Sequence, residues 1–389
     1  MDVKNLLDTI AGEEQPHSSV DVGRALAAGR RIRGRRRAAL AAGTMAACLA
    51  AATLTWAGLG PTKDGGAVAV AVQADTLPAS GVGPLSYAYY DWCGQKWSPS
   101  ENTGAFAGKE CAQWKVVTRE GQSFRMPEAL SVYTEQSAEN YMNTSAPLAI
   151  TPDGRRVAYY SEKDEKFAVR DLEGGQVWLT PQTVTRAEMV AKGAVVSLSP
   201  DGRHLGLSGV TGNVVEVETA QTTEIPAGWQ LLRVFRDGTP LVVDDRARVG
   251  LLTGGEVRVL GAARADRLSV SDVAADGRTM VYLTGGGSSG MNSRPDDTIV
   301  TLDITTGRTL STVKFRDTPK GFSPWRVGGW HSPTEVLVTD TVVDGSWQRG
   351  KAPLLGEMAY TVDVTTGRVR ELKAYTFRAW AGDLVVPGF

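Results

Sequence analysis

Residues 150–161 read ITPDGRRVAYYS, and residues 198–209 read LSPDGRHLGLSG. The same plan returns as FRDGTPLVVDD from Phe235 and AADGRTMVYLT from Ala274, and in degenerate form as HSPTEVLVTD from His331. Each copy sets a turn dipeptide ahead of a short β-rich run. The Asp-Gly pairs (Asp153-Gly154, Asp201-Gly202, Asp237-Gly238, Asp276-Gly277) supply the positive φ that a tight hairpin needs. The aspartates lie 48, 36 and 39 residues apart (201 − 153, 237 − 201, 276 − 237), about the length of one four-stranded propeller blade.

A second motif recurs downstream of the first. VRDLEGGQVWLT (169–180), VTLDITTGRTLST (300–312) and YTVDVTTGRVREL (360–372) share an Asp, a short Gly-containing turn and another strand. Each unit therefore reads as strand, hairpin, strand, Gly turn, strand. No helical period is evident beyond residue 62, and 44 glycines among many Thr and Val residues suit short strands. These segments resemble the "PD" repeats of TolB-type, WD40-like β-propellers, clearly over 150–375 and by pattern over 85–126. The resemblance implies the fold and carries almost nothing about function.

Strand pairs fall at 85–92/112–126, 148–161/166–180, 195–208/213–225, 231–244/247–260, 269–284/298–313 and 327–343/358–373. The expected fold class is thus all-β, a propeller of six or seven four-stranded blades spanning 76–389. Strand-like leftovers at 67–73, 375–380 and 383–389 favour seven, since propellers close by combining both chain ends in one blade.

Ahead of the repeats, Ala38–Thr62 contains no charged residue, and as helix it would reach about 37 Å, enough for a hydrocarbon core of about 30 Å. Six arginines lie between Arg30 and Arg37, and Trp56 sits near the far end of the run. The positive-inside rule puts residues 1–37 in the cytoplasm, where the basic tail meets anionic headgroups. The expected order is a tail (1–37), a membrane helix (38–60), a linker and possible closing strand (61–75) and an extracytoplasmic propeller (76–389). This layout resembles membrane-anchored actinobacterial propeller proteins. Cleavage of the apolar run as a signal stays open as an alternative.

The net charge of −1 gives no bulk attraction to nucleic acid. Cys93 and Cys111, the two cysteines beyond the span, suggest one disulfide in an oxidising compartment. No metal set, cofactor motif or catalytic constellation stands out. GGGSSG (285–290) matches two catalytic or nucleotide motifs by letter, but a strand follows it where both need a helix. Asp244-Asp245 and Asp296-Asp297 read as turn residues. The candidate ligand face consists of Trp92, Trp97, Trp325, Trp330 and Trp347, rigid amphipathic rings suited to a protein, peptide or glycan ligand. The leading expectation is a membrane-tethered binding module. A signalling regulator with an anti-sigma-like tail and an enzyme using the propeller channel remain as alternatives.

Overall fold

The computed structural model describes residues 75–91, 113–131, 146–264, 269–283, 298–342, 356–376 and 384–389. The chain divides into two compact units, 1–72 and 73–389, and the first lies outside the described residues. The tail, the 38–60 span and the possible strand at 67–73 therefore lie outside them as well. Among the described residues no helix is long and apolar enough to cross a membrane.

The described residues from Asp75 to Phe389 form six sheets, each the radial blade of a β-propeller. Blade 2 runs outward from the axis as β5 (Leu148–Ile150), β6 (Arg156–Ser161), β7 (Lys166–Asp171) and β8 (Val177–Leu179). Blade 3 follows with β9 (Val195–Leu198), β10 (His204–Ser208), β11 (Asn213–Glu216) and β12 (Thr222–Glu224). Blade 4 holds β13 (Trp229–Val234), β14 (Pro240–Asp244), β15 (Arg248–Thr253) and β16 (Glu256–Arg264). In blade 5 the strands are β17 (Ser269–Val270), β18 (Thr279–Leu283), β19 (Thr298–Asp303) and β20 (Arg308–Lys314). Blade 6 comprises β21 (Arg326–Ser332), β22 (Glu335–Val342), β23 (Gly356–Asp363) and β24 (Val369–Thr376).

Blade 1 corrects the preference for seven. Its own segment supplies three strands, β2 (Leu85–Asp91), β3 (Gln113–Thr118) and β4 (Ser123–Arg125), and lacks an inner one. The C-terminal β25 (Leu384–Val385) takes that place, antiparallel to β2 through Ala88↔Val385 and Tyr89↔Leu384. At the outer edge β1 (Asp75–Thr76) adds a parallel fifth strand on β4. Both ends do share a blade, as ring closure requires, but they complete the first instead of building another. Six blades result.

The repeated Asp-Gly dipeptide has two local jobs. Each aspartate accepts the backbone N–H two residues on, as in Asp153 Oδ1 from Arg155 (2.9 Å), Asp201 Oδ1 from Arg203 (3.1 Å) and Asp276 Oδ1 from Arg278 (2.8 Å). The glycine then turns the chain at positive φ, +77° at Gly154 and +83° at Gly238. It also lets one blade press on the one before. A Cβ at Gly154 would lie 2.3 Å from the Leu85 carbonyl oxygen in blade 1, and one at Gly238 would lie 2.7 Å from the His204 ring in blade 3.

Among the described residues, apolar side chains fill five of the six seams between blades. Leu85, Trp114 and Val116 meet Ile150, Val157 and Tyr159 between blades 1 and 2. Tyr160 and Phe167 pack against Leu205 and Leu207 between blades 2 and 3. Val214 meets Leu231 and Val234 between blades 3 and 4. Leu241, Val249 and Leu251 join Met280, Tyr282 and Leu302 between blades 4 and 5. Val281, Leu283 and Ile299 join Val327, Val336, Val338 and Val362 between blades 5 and 6.

One helix departs from the all-strand expectation. α1 (Arg186–Lys192) lies in the connection from blade 2 to blade 3. Thr185 and Glu188 form a reciprocal capping box, with Thr185 Oγ1 accepting from the Glu188 N–H (3.2 Å) and Glu188 Oε2 accepting from the Thr185 N–H (2.9 Å). Val184 and Met189, on either side of that cap, are both buried in the seam between blades 2 and 3. Seven residues are too few for periodicity to show, although Thr-x-x-Glu was a legible start signal.

Candidate functional site

Blade 6 has two unlike faces. Residues directly opposite each other on neighbouring strands point to the same side. The row through Val327, Val338 and Tyr360 faces blade 5 and is apolar. The adjacent row, Arg326↔Thr339↔Ala359↔Lys373, faces blade 1, as does the pair Glu357↔Tyr375. Blade 1 answers with Ser86, Tyr87 and Tyr89. Lys373 Nζ donates to Ser86 Oγ (2.6 Å), and the Tyr87 and Tyr375 rings meet edge-on with centroids 5.7 Å apart. Tyr87 and Tyr89 lie 6.0 Å apart, and Lys373 Nζ stands 5.2 Å from the centre of the Tyr375 ring.

Near the start of β21 this seam holds polar atoms with nothing to bond. Glu357 is only 4 % exposed and its Oε2 has no hydrogen-bond partner. The Thr339 hydroxyl, in a residue with no exposed surface, and the Trp325 indole Nε1–H are unpartnered too. Arg326 lays its guanidinium over the Trp325 ring at 3.7 Å, and among the described residues no hydrogen bond or ion pair engages its N–H groups. The Trp325 N–H donates to the Thr339 carbonyl (3.0 Å), which fixes the start of β21 against β22.

Burial pushes the Glu357 carboxyl up from its ordinary value, and Asp340 adds to the shift. Arg326 and Thr339 oppose it without cancelling it; the Thr339 hydroxyl is near enough to favour the carboxylate yet makes no bond of good geometry. Burial also lowers the Arg326 pKa, and Glu357 works against that. Tyr375 is raised by burial as well, with Arg119 of blade 1 lowering it and Glu357 raising it. A buried polar atom left unbonded costs about 1–3 kcal/mol, more if charged. The cluster is therefore expensive for the fold.

The other end of the axis is the opposite case, with each polar group met. Arg233, near the end of β13, donates from Nε to Asp272 Oδ1 (2.6 Å) and from Nη1 to the Val270 carbonyl (2.8 Å). Its Nη2 reaches the carbonyl of Gly388 in the C-terminal segment (2.8 Å). The Gly388 N–H in turn donates to the Ile150 carbonyl (3.0 Å). The Trp330 indole donates to the Asp272 carbonyl (2.8 Å), and Phe389 lies so close to Gly328 that a Cβ there would meet its ring at 2.7 Å. The Val234 N–H to Ser197 Oγ (3.1 Å) ties in blade 3. Arg233 and Asp272 are bonded to each other and to backbone.

The structure thus separates the tryptophans grouped by sequence. Trp325 joins the unbonded cluster at the start of β21. Trp330, near its end, belongs to the axial clasp. Trp92, Trp97 and Trp347 lie outside the described residues, as do Cys93, Cys111, the 285–290 loop and Asp296-Asp297. Asp244 accepts from the Arg246 and Arg248 backbone N–H groups (3.1 and 2.8 Å) and pairs with the Arg248 guanidinium, a turn residue. Among the described residues no group of His, Cys, Asp and Glu is placed to hold a metal. A cleft of about 600 Å³ at the edge of blade 6 is lined by Arg316, Asp317, Glu335, Asp363, Arg368 and Arg370, with Arg370 paired to Glu335 and Arg368 to Asp317 (3.0 Å).

Sequence reading missed Arg326, Thr339 and Glu357. A signal existed. A blade packed on both faces reads as a nearly continuous apolar run, as Val157–Tyr160 and Leu241–Val243 do, whereas β22 turns polar after Val338, as Thr339-Asp340-Thr341.

No family model matches the chain, and no curated protein matches it. Among solved structures it is similar to TolB from Acinetobacter baumannii, at 16% identity over 80% of this chain and 68% of that one, with a TM-score of 0.40. It is similar to a chain of a nidogen/laminin complex, at 9% identity over 77% and 97%, TM-score 0.41. An oligogalacturonate lyase from Vibrio parahaemolyticus matches at 13% identity over 77% and 82%, TM-score 0.40. At these scores the fold rests on the sheet order described above.

Proposed function

We propose that this chain is a membrane-tethered extracytoplasmic binding module, with its ligand seated in the seam between blades 6 and 1. Residues 38–60 span the membrane, the Arg-rich tail lies on anionic headgroups inside, and the propeller captures a protein, peptide or cell-envelope ligand outside. One observation carries the site: three buried or half-buried polar groups and one guanidinium converge without partners in the one seam that no apolar cluster fills, among the described residues. A fold has no use for such a set. A ligand that bonds them recovers the cost of their burial.

The test is a stability measurement on the full chain in detergent. Groups kept for binding are dispensable for folding, so Thr339→Val and Glu357→Gln are expected to melt at or above the parent temperature. A fall of several degrees in both would assign the cluster to structure and end the reading. Tethering is checked separately: alkaline carbonate should leave the full chain in the membrane pellet, and its release would remove the anchor.

A further inference from the structure

We propose that the group recognised in this seam is a carboxylate, gripped by Arg326 together with the Trp325 indole and the Thr339 hydroxyl, beside a Glu357 that carries a proton while the ligand is bound. The inference rests on the reading of the seam as the ligand site and names the chemistry of that site.

The donor inventory points to it. The free groups are a guanidinium fork, an indole N–H and a hydroxyl, and all three can donate. Stacking on Trp325 at 3.7 Å occupies the face of the Arg326 guanidinium and leaves its N–H edge for a planar, two-oxygen acceptor. A cationic ligand would meet Arg326 and Lys373 and satisfy neither indole nor guanidinium. A neutral hydroxyl compound would leave the guanidinium unpaired. A phosphate would bring a second negative charge against a buried carboxyl. A carboxylate brings one, and shares a hydrogen bond with Glu357 when that residue is protonated.

Glu357 is placed for the protonated role. It sits 4 % exposed on β23, with its Oε2 unbonded. Arg326 on β21 and Asp340 on β22 act on it from blade 6, and Tyr375 on β24 stands opposite it. Lys373 lies one row away on β24; Tyr87, Tyr89 and Arg119 approach this seam from blade 1, with Lys115 and Arg125 on the row of Tyr89. Burial raises the Glu357 carboxyl above its ordinary value, against the opposing effects of Arg326 and the Thr339 hydroxyl. Binding that requires this proton weakens as pH rises through the Glu357 value, by up to about tenfold per pH unit.

N-acetylglycine serves as the probe, with N-acetylglycinamide and inorganic phosphate as controls, on the full chain in detergent. Indole N–H resonances report occupancy, and Trp325→Phe identifies the relevant one. The expected result is a saturable shift of that resonance with N-acetylglycine, tighter at pH 5.5 than at 7.5 and absent with the amide. Arg326→Gln should weaken it at least tenfold, with Arg326→Lys intermediate because the charge survives and the fork does not. Glu357→Gln should keep binding and flatten its pH dependence. No saturable shift between pH 5 and 8, an equal response to the amide, tighter binding of phosphate, or indifference to Arg326→Gln would each overturn the proposal. If the probe fails while Thr339→Val and Glu357→Gln still melt at or above the parent temperature, the carboxylate is wrong and the site stands; if both variants melt lower, the site itself falls.

Discussion

The two faces of blade 6 are built from the same strands and do opposite things. Toward blade 5, Val327, Val336, Val338 and Val362 close a seam that excludes water. Toward blade 1, Arg326 and Thr339, one residue along from Val327 and Val338, join Glu357 of β23 in presenting polar groups that the opposing blade does not satisfy. Side chains alternate across a strand, so Val338 and Thr339 are neighbours in sequence and belong to different environments. The contrast teaches that stability here resides in the apolar seams and in the axial clasp, while one seam is left polar.

The axial clasp offers the largest effect. Asp272→Ala leaves Arg233 buried without its carboxylate, and chemical denaturation should show a loss of about 3–5 kcal/mol. A loss under about 1 kcal/mol would mean that the seams alone hold the ring. Next comes the apolar side of blade 6: Leu283→Ala, at a residue 1 % exposed, should cost about 3 kcal/mol in the same assay. Thr339→Val, on the polar side, should change stability by no more than about 1 kcal/mol and in the favourable direction, since it removes an unbonded hydroxyl and keeps the shape. Equal losses from Leu283→Ala and Thr339→Val would erase the distinction between the two faces.

Acid response separates two carboxylates in opposite directions. Asp303, which accepts from the Arg278 guanidinium (2.6 Å) and from the Thr305 and Thr306 hydroxyls (2.6 and 2.8 Å), is held far below the usual carboxylate range, the Arg278 bond contributing most. Its stabilisation is present above the ordinary aspartate value and is lost as pH falls toward the folded value. Glu357 is raised, so the folded chain keeps a proton that the unfolded chain has released, and stability falls as pH climbs from the ordinary glutamate value to the folded one. Melting curves between pH 3 and 8 should therefore show Glu357→Gln flattening the loss on the rising side, whereas Asp303→Asn flattens the loss at the acid end. The same pH profile for both variants would contradict the opposed environments.

Much of the ring was legible because its signals are local. Asp153, Asp201 and Asp276 each cap a backbone N–H two residues on, and the glycine after each takes a positive φ, whatever the rest of the chain does. α1 was missed for want of length, despite the Thr185–Glu188 box. Of the site, Trp325 was legible as an aromatic on a loop-to-strand junction. Glu357 was not, because a glutamate after a glycine at the start of a strand looks like any solvated edge residue until the neighbouring blade is placed over it.

What the sequence determined by itself was the repeating unit: short strands joined by Asp-Gly and Gly-containing turns, each fixed by backbone geometry within a few residues. The number of blades was decided by closure. Residues 383–389 read as strand-like, but only the missing inner position of blade 1 decides which sheet takes Leu384–Val385. The polar seam was decided in the same way. Alternation in β22 tells which residues share a face, but which blade meets that face, and whether its atoms find partners, depends on contacts between segments almost three hundred residues apart, as between Lys373 and Ser86 (373 − 86 = 287).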